Sequence, residues 1–368
     1  MLMGVVGEAK FFEGVSIYLK KHLYGNAQSS DLWEGISKAA GKDMGTVMAD
    51  WTRKVGFPVL TVEELGGGEI KVTQNRFLST GDVKPEEDET IWWVPLEIKT
   101  VEREVQVDHG AILDSRSTTL KVASDAFKLN GETIGFYRVK YSPERLAKIG
   151  THAQSFSIND RIGLLSDASA LASAGYSRAS EALTFATAVA AKETEYLPLD
   201  MIASLLGKVA QVWWEDEGVR SAIDALRNRI FRPVLDQLGY EDAAADSPGT
   251  RELRALAVST CAAAREASVL VELGARFRPL LASGDDSRIP PDLQREIFTA
   301  AIADGGEAEY AKVLEVYASP LSNPSTKVDA MMALCATRAD ALLDRTFAML
   351  ADPKAIKDQD VSTVSCRT

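Results

Sequence analysis

Histidine, the commonest side chain of hydrolytic chemistry, is nearly missing: His22, His109 and His152 are the only three in 368 residues. They lie far apart, and no HExxH occurs, so no helix can present two imidazoles to one zinc ion. Each reads as a surface or partly buried side chain. Cysteine is as scarce, with Cys261, Cys335 and Cys366 widely spaced and no CxxC. That pattern signals neither a disulfide framework nor a structural zinc site, and reduced thiols in a cytoplasmic protein fit best. Cys261 and Cys335 fall in apolar helical runs, where a thiol acts as a small core residue. No apolar run reaches the roughly 18 residues of a membrane helix. The start lacks a basic leader, and Gly7, Glu8 and Lys10 interrupt its apolar stretch, unlike a signal peptide. GxSxG, Walker and post-strand GxGxxG signatures are absent. GGGEI at 66–70 lacks the lysine and helix of a phosphate cradle and reads as a hairpin turn.

Positive charge is also short, leaving a net charge of −12 at pH 7. That balance argues against nucleic acid or an anionic membrane as the main partner. Hydrophobic residues make up 46% and charged ones 26%, a globular composition. The length allows two or three domains at roughly 100–200 residues each.

What is present is ordered in blocks. Residues 1–55 read as helices, the first with Leu2, Val5, Val6, Phe12, Val15, Leu19 and Leu23 at helical spacing. Such an apolar face needs something to lie against. After Pro58 the period changes to two, and VLTVEE, EIKVTQNRFL, TIWWVPLEIK and EREVQVD read as strands. FKLNGETIGFYRVKY carries Asn130-Gly131, the dipeptide of a tight hairpin turn. Several short strands with regular turns suggest a small β-sandwich over 57–141. From Ser142 the chain reads as helices recurring at loose intervals of about 30–40 residues, the spacing of HEAT and armadillo arrays. The expected fold is therefore mainly α with a small β-sandwich and an irregular α-solenoid. The tail VSTVSCRT brings no capping helix, and both ends look unfinished.

Candidate chemistry is thin. EEDE at 86–89 and EDEG at 215–218 are acidic clusters that read as solvated faces. WWED at 213–216 sets two tryptophans at a helix end, where core packing is expected over a stacking platform. INDRIGLL at 158–165 gives the interface candidates. Asn159 or Asp160 can cap a helix, which places Arg161 in the first turn, where the helix dipole disfavours a cation. A carboxylate or carbonyl across an interface, at the joint of sandwich and solenoid, is expected to hold it; a plain surface arginine is the alternative.

GVSIYLKKHLYGNAQSSDLWEGIS, MADWTRKVGFPVLTV, WWVPLEI, GFYRVKY and SFSINDRIGLLSDASALASAG, in this order, resemble the C-terminal half of the gluzincin zinc aminopeptidases. Puromycin-sensitive, endoplasmic-reticulum and fungal cytosolic aminopeptidases belong to that family. The resemblance implies that 1–55 are the last helices of a catalytic domain, 57–141 the sandwich and 142–368 a helical bowl that encloses peptide substrates. Zinc is the family's cofactor, and peptides and the upstream catalytic domain are the implied partners. The GxMEN motif, the zinc ligands and the transition-state tyrosine map to no residue here, so the chain is expected to be silent alone. An independent helical-repeat scaffold for protein or peptide partners is the alternative reading, and an orphan fragment a third.

Overall fold

The computed structural model describes residues 1–101, 105–122, 124–353, 355 and 356. Cys366, the tail after 356 and the start of the expected strand EREVQVD lie outside the described residues. The chain is mainly helical with three small sheets. It divides into two compact units: Met1–Glu193 with Leu197–Leu205, and Thr194–Tyr196 with the described residues from Leu206 onward.

The first unit begins with α1 (Leu2–Val6), α2 (Glu8–Lys21), α3 (Ser29–Ala40) and α4 (Met44–Arg53). The expected single opening helix is two, because Gly7 takes φ 82° between them. Leu2, Ile36, Met44 and Met48 form a core against which Val5, Val6, Phe11, Trp33 and Trp51 pack. So α1 finds cover inside this chain, whereas Phe12 and Leu19 on α2 and Leu23 just past its end stay exposed. The α2–α3 crossing is backbone on backbone. A Cβ built on Gly14 would stand 2.5 Å from Ile36 Cα, and one on Gly35 2.6 Å from Gly14 O.

Strands β1 (Pro58–Gly66), β2 (Glu69–Arg76), β3 (Val94–Pro95), β4 (Ile98–Val101), β5 (Val105–Asp108), β6 (Ile112–Leu113), β7 (Ser117–Lys121), β8 (Phe127–Lys128) and β9 (Arg138–Lys140) follow. They form sheets ordered β7-β2-β1-β9, β5-β4-β8 and β3-β6. The glycines at 66–68, all at positive φ, turn the β1–β2 hairpin. Buried Gln74 staples strand to loop. Its Nε2 donates to Trp92 O and Ser115 O, both at 2.9 Å, and its Oε1 accepts from Trp92 N at 2.9 Å.

The Asn130-Gly131 hairpin does not form. β8 pairs with β4, and β9 runs parallel to β1, so the two flanking strands enter different sheets. Asn130 does take the left-handed conformation, at φ 58°. Its side chain, however, brackets Gly135, accepting from Gly135 N at 2.7 Å and donating to Gly135 O at 3.1 Å. The loop this closes carries the chain from one sheet to the other. Tyr137 Oη, donating to Pro95 O at 2.9 Å, and Tyr141 Oη, accepting from Leu129 N at 2.7 Å, hold the far side.

The helices α5 (Pro143–Thr151), α6 (Ile158–Ser173) and α7 (Ala179–Ala190) complete this unit, and the division falls within α8 (Tyr196–Val212). Arg145 on α5 grips Glu64 through Nε at 2.8 Å and lies 4.1 Å over the Phe127 ring.

The second unit holds α9 (Glu217–Leu238), α10 (Pro248–Ala263), α11 (Ala267–Ser283), α12 (Gln294–Asp304), α13 (Glu307–Ala318), α14 (Pro324–Leu334) and α15 (Asp340–Leu350). From α9 to α14 each helix packs on its sequence neighbour. Phe231, Val258, Leu273, Phe277, Phe298 and Tyr310 are among the buried residues. Two buried arginines anchor the polar stretch 240–247: Arg254 on Asp242 and Asp246, both at 2.5 Å, and Arg276 on Glu241 at 2.5 Å. Cys261 is buried, which pushes its thiol pKa up to about 12. The tryptophan pair is not core: Trp213 is 51% and Trp214 60% exposed, because the turn between α8 and α9 lifts both off the helix face. Among the described residues no helix is long and apolar enough to cross a membrane.

Gly35→Ala is expected to push α2 off α3 at a cost of about 1–3 kcal/mol. Hydrogen exchange should show α2 and α3 amides losing protection while α9–α14 keep theirs; equal protection in the variant would refute the close crossing.

Candidate functional site

Helix α6 meets the sheet loops at Asp160. The helix is capped by Ser157, not by Asn159 or Asp160. Ser157 Oγ accepts from Asp160 N at 3.2 Å, and Asp160 Oδ2 accepts from Ser157 N at 3.3 Å. This capping box satisfies two helix-end donors reciprocally. It also moves Asp160 to the third helical position, aimed at the sheets. There its carboxylate receives Lys128 Nζ at 2.8 Å, Glu132 N at 2.7 Å and Lys99 Nζ in a short ion pair. Glu132 returns to the same cluster, pairing with Lys99 and accepting from Ser157 Oγ at 2.7 Å. Asp160, Lys99 and Lys128 are all buried.

Burial alone would raise the Asp160 carboxyl; the two ammonium groups outweigh it and hold the pKa below the ordinary carboxylate value. Burial pushes the Lys128 ammonium down, and Asp160 offsets this in part. Burial works against Lys99 as well, but its bonds to Asp160 and Glu132 prevail and leave its pKa raised.

Arg161 is buried but sits away from this cluster. One residue along a helix is a rotation of about 100°, so Asp160 and Arg161 face different neighbours. Arg161 Nε meets Glu193 Oε2 at 2.7 Å, and its Nη1 donates to Phe156 O at 2.7 Å. Both partners belong to the helical stretch, so it is Asp160, not Arg161, that spans to the sheets. Asn159 contributes its backbone, its carbonyl accepting from Thr133 Oγ1 at 2.8 Å, and its side chain is exposed.

The sheet-side turn is strained. Glu132 at φ 54° and Thr133 at φ 55° share the left-handed region with Asn130, and a β-branched residue there is costly. Gly163 makes the seat: a Cβ on it would stand 2.1 Å from Thr133 Oγ1. One turn on, Asp167 accepts from Val139 N at 2.9 Å and Arg138 Nη1 at 3.1 Å. Burial dominates there and pushes its pKa up to about 6. The adjoining cavity, near Lys128, Asn130 and Asp167, is about 10 Å³. That is room for about one water. The arrangement therefore holds elements together and offers no space to a substrate.

Other candidates do not converge. His109 Nδ1 lies 2.5 Å from the buried Glu97 Oε2, and His152 Nδ1 lies 2.9 Å from Lys148 O. Asp88 receives Asn75 Nδ2 and Arg76 N, both at 2.6 Å, and Asp216 caps α9 through Val219 N at 2.9 Å. Among the described residues no three His, Cys, Asp or Glu side chains gather to hold a metal ion. Lys99, Lys128, Glu132, Glu193 and Asp167 escape sequence reasoning; the one available signal is a lysine beside apolar strand residues, as Lys99 follows Ile98 and Lys128 follows Phe127.

Asp160→Asn leaves two buried ammonium groups with one fewer charge and is expected to cost about 3–5 kcal/mol, read from urea unfolding. Asp160→Asn with Lys128→Met should cost less than the two changes summed; strict additivity would disprove the coupling. Asp167 acts with the opposite sign. Its folded pKa of about 6 exceeds the unfolded value near 3.9, so its contribution is full below pH 4 and lost as pH rises through 6. Asp167→Asn should therefore flatten the fall in unfolding midpoint between pH 4.5 and 7; an unchanged slope would rule this out.

Comparison with known proteins fits this frame. The chain is 36% identical over 366 residues to "Aminopeptidase 2" of Candida albicans, covering 98% of this chain and 39% of that protein. It is 35% identical to "Aminopeptidase 2, mitochondrial" of Saccharomyces cerevisiae, covering 98% and 37%. It is 27% identical to "Puromycin-sensitive aminopeptidase" of Caenorhabditis elegans, covering 98% and 38%. The chain thus spans about two fifths of the length of the curated relatives it matches. Residues 1–51 match the "Peptidase family M1 domain". Residues 126–366, well over half of the sequence, match the "ERAP1-like C-terminal domain", and the chain belongs to that family.

Proposed function

We propose that this chain supplies the C-terminal part of a zinc metallo-aminopeptidase, the helical bowl that encloses peptides while a catalytic domain removes their N-terminal residues. The observation that carries this reading is the order of the two family matches, the M1 domain over 1–51 and the ERAP1-like domain over 126–366. Residues 1–55 are then the last helices of the catalytic domain, 57–141 a β-sandwich and 142–368 an irregular α-solenoid. The strands lie between Pro58 and Lys140, which supports those limits. The sequential packing of α9 to α14 supports a solenoid, whose concave face suits extended chains. The exposed Phe12 and Leu19 of α2, with Leu23 just past its end, are the surface the remainder of the M1 domain would cover. The cytoplasm suits Cys261 and Cys335, which are buried and in no disulfide.

The described residues do not fit a zinc centre. His109 is engaged with Glu97, His152 lies against a main-chain carbonyl, and no third ligand approaches either. No step of catalysis is assigned to this chain; its work is enclosure, which selects substrates by size and excludes water.

The test is hydrolysis of an aminoacyl-naphthylamide by the purified chain, with and without added zinc. No turnover above the blank is expected. Zinc-dependent turnover would overturn the silent-partner reading. Enclosure is tested by adding the chain to an aminopeptidase M1 domain and comparing long with short peptides; an unchanged length preference would count against it.

A further inference from the structure

The turn between α8 and α9 presents two neighbouring tryptophans of the second unit to water. Val212 is 76% exposed, Trp213 51% and Trp214 60%. Single exposed apolar residues are ordinary, but three consecutive ones, two of them tryptophan, mark an interaction surface. The turn is held by its own backbone. Trp213 N donates to Val209 O at 3.0 Å and Asp216 N to Trp213 O at 3.1 Å. Asp216 then caps α9, so the indoles stand on two helix ends that are already fixed. Little ordering entropy remains to be lost when something binds there.

Charge decides what that something is. Glu215, Asp216 and Glu217 follow the indoles directly and all are exposed; the exposed Lys208 and Arg220 flank the stretch, and the three carboxylates outnumber them. Tryptophan gives the strongest cation–π face, and Trp and Arg are the residue types that dominate binding hot spots. An anionic aromatic corner of this kind excludes acidic partners and attracts guanidinium and ammonium groups. We propose that the Trp213–Trp214 corner docks an arginine- or lysine-bearing peptide segment, with the indole faces taking the cation and Glu215 and Glu217 supplying the counter-charge. This proposal rests on the corner's own residues and does not depend on the enclosure proposed above.

The experiment uses fluorescein-labelled hexa-arginine, with hexa-glutamate as control, and reads anisotropy against the full chain. Trp213→Ala with Trp214→Ala leaves the net charge unchanged and is expected to weaken hexa-arginine binding by about tenfold or more. Trp213→Phe with Trp214→Phe should restore most of it. Glu215→Gln with Glu217→Gln should weaken it and flatten its salt dependence, while Glu86→Gln with Glu89→Gln, an exposed acidic pair elsewhere, should not. If the double alanine variant binds hexa-arginine as tightly as the parent, or the 86/89 pair matters equally, the attraction is only that of an acidic chain and the proposal fails. Sedimentation of the same variants gives the other occupant: a dimer of the parent that the alanine pair abolishes would assign the corner to a second copy and overturn the peptide. Hexa-glutamate binding as tight as hexa-arginine would overturn it as well.

Discussion

A carboxylate without water must have cations, and the first unit is arranged around that requirement. Asp160 has no exposed surface, and two lysines from different strands of one sheet reach it. Burying three charged groups costs several kcal/mol each before pairing, so the geometry tolerates little displacement. It fixes α6 against the β4 and β8 strands at one point. It also brings the Glu132 amide to the same carboxylate, which holds the left-handed turn at 132–133 in place. Gly163 then has to be glycine, because Thr133 occupies the space of its side chain.

The second unit solves a related problem with arginine. Arg254 and Arg276 are buried, and each spreads its guanidinium over acceptors from a helix, a loop or both. A planar fork with five donors can spread over acceptors set apart from one another, where a lysine ammonium gathers its acceptors around a single atom. The acidic stretch at 240–247 is thereby tied to α10 and α11. A segment that reads as a polar break in sequence is part of the packing.

What the sequence revealed follows from the range of each interaction. The helices, the change of period after Pro58 and the glycine hairpin at 66–68 are local, and local pattern suffices for them. The family resemblance, spread over five stretches in order, identified the M1 kinship. The Asn130-Gly131 turn shows the limit. Its dipeptide does set φ at Asn130, yet strand partners 27 or more residues away decide which sheet each arm joins. The cap of α6 was legible in principle, since Ser157 and Asp160 stand three apart, but Asn159 and Asp160 are capping types too and mask it. Lys99 to Asp160 spans 61 residues and Arg161 to Glu193 spans 32, distances at which no periodicity speaks. Trp213 and Trp214 misled for a different reason: helical spacing says which residues share a face, not whether a turn lifts them off it.

The staple at Gln74 differs in kind from the contacts at Asp160 and Asp167. An amide has no proton to gain or lose in the range where carboxylates and histidines titrate, and its three bonds to Trp92 and Ser115 are neutral. Acid that protonates Asp160 can loosen the charged seam where α6 meets the strands, but it has no handle on the amide. Only acid strong enough to protonate Asp160, whose pKa the two lysines hold below the ordinary carboxylate value, should therefore open this seam, the helix letting go while the strands around Trp92 stay stitched, and the partly opened species would keep its indole signal after its helices had melted.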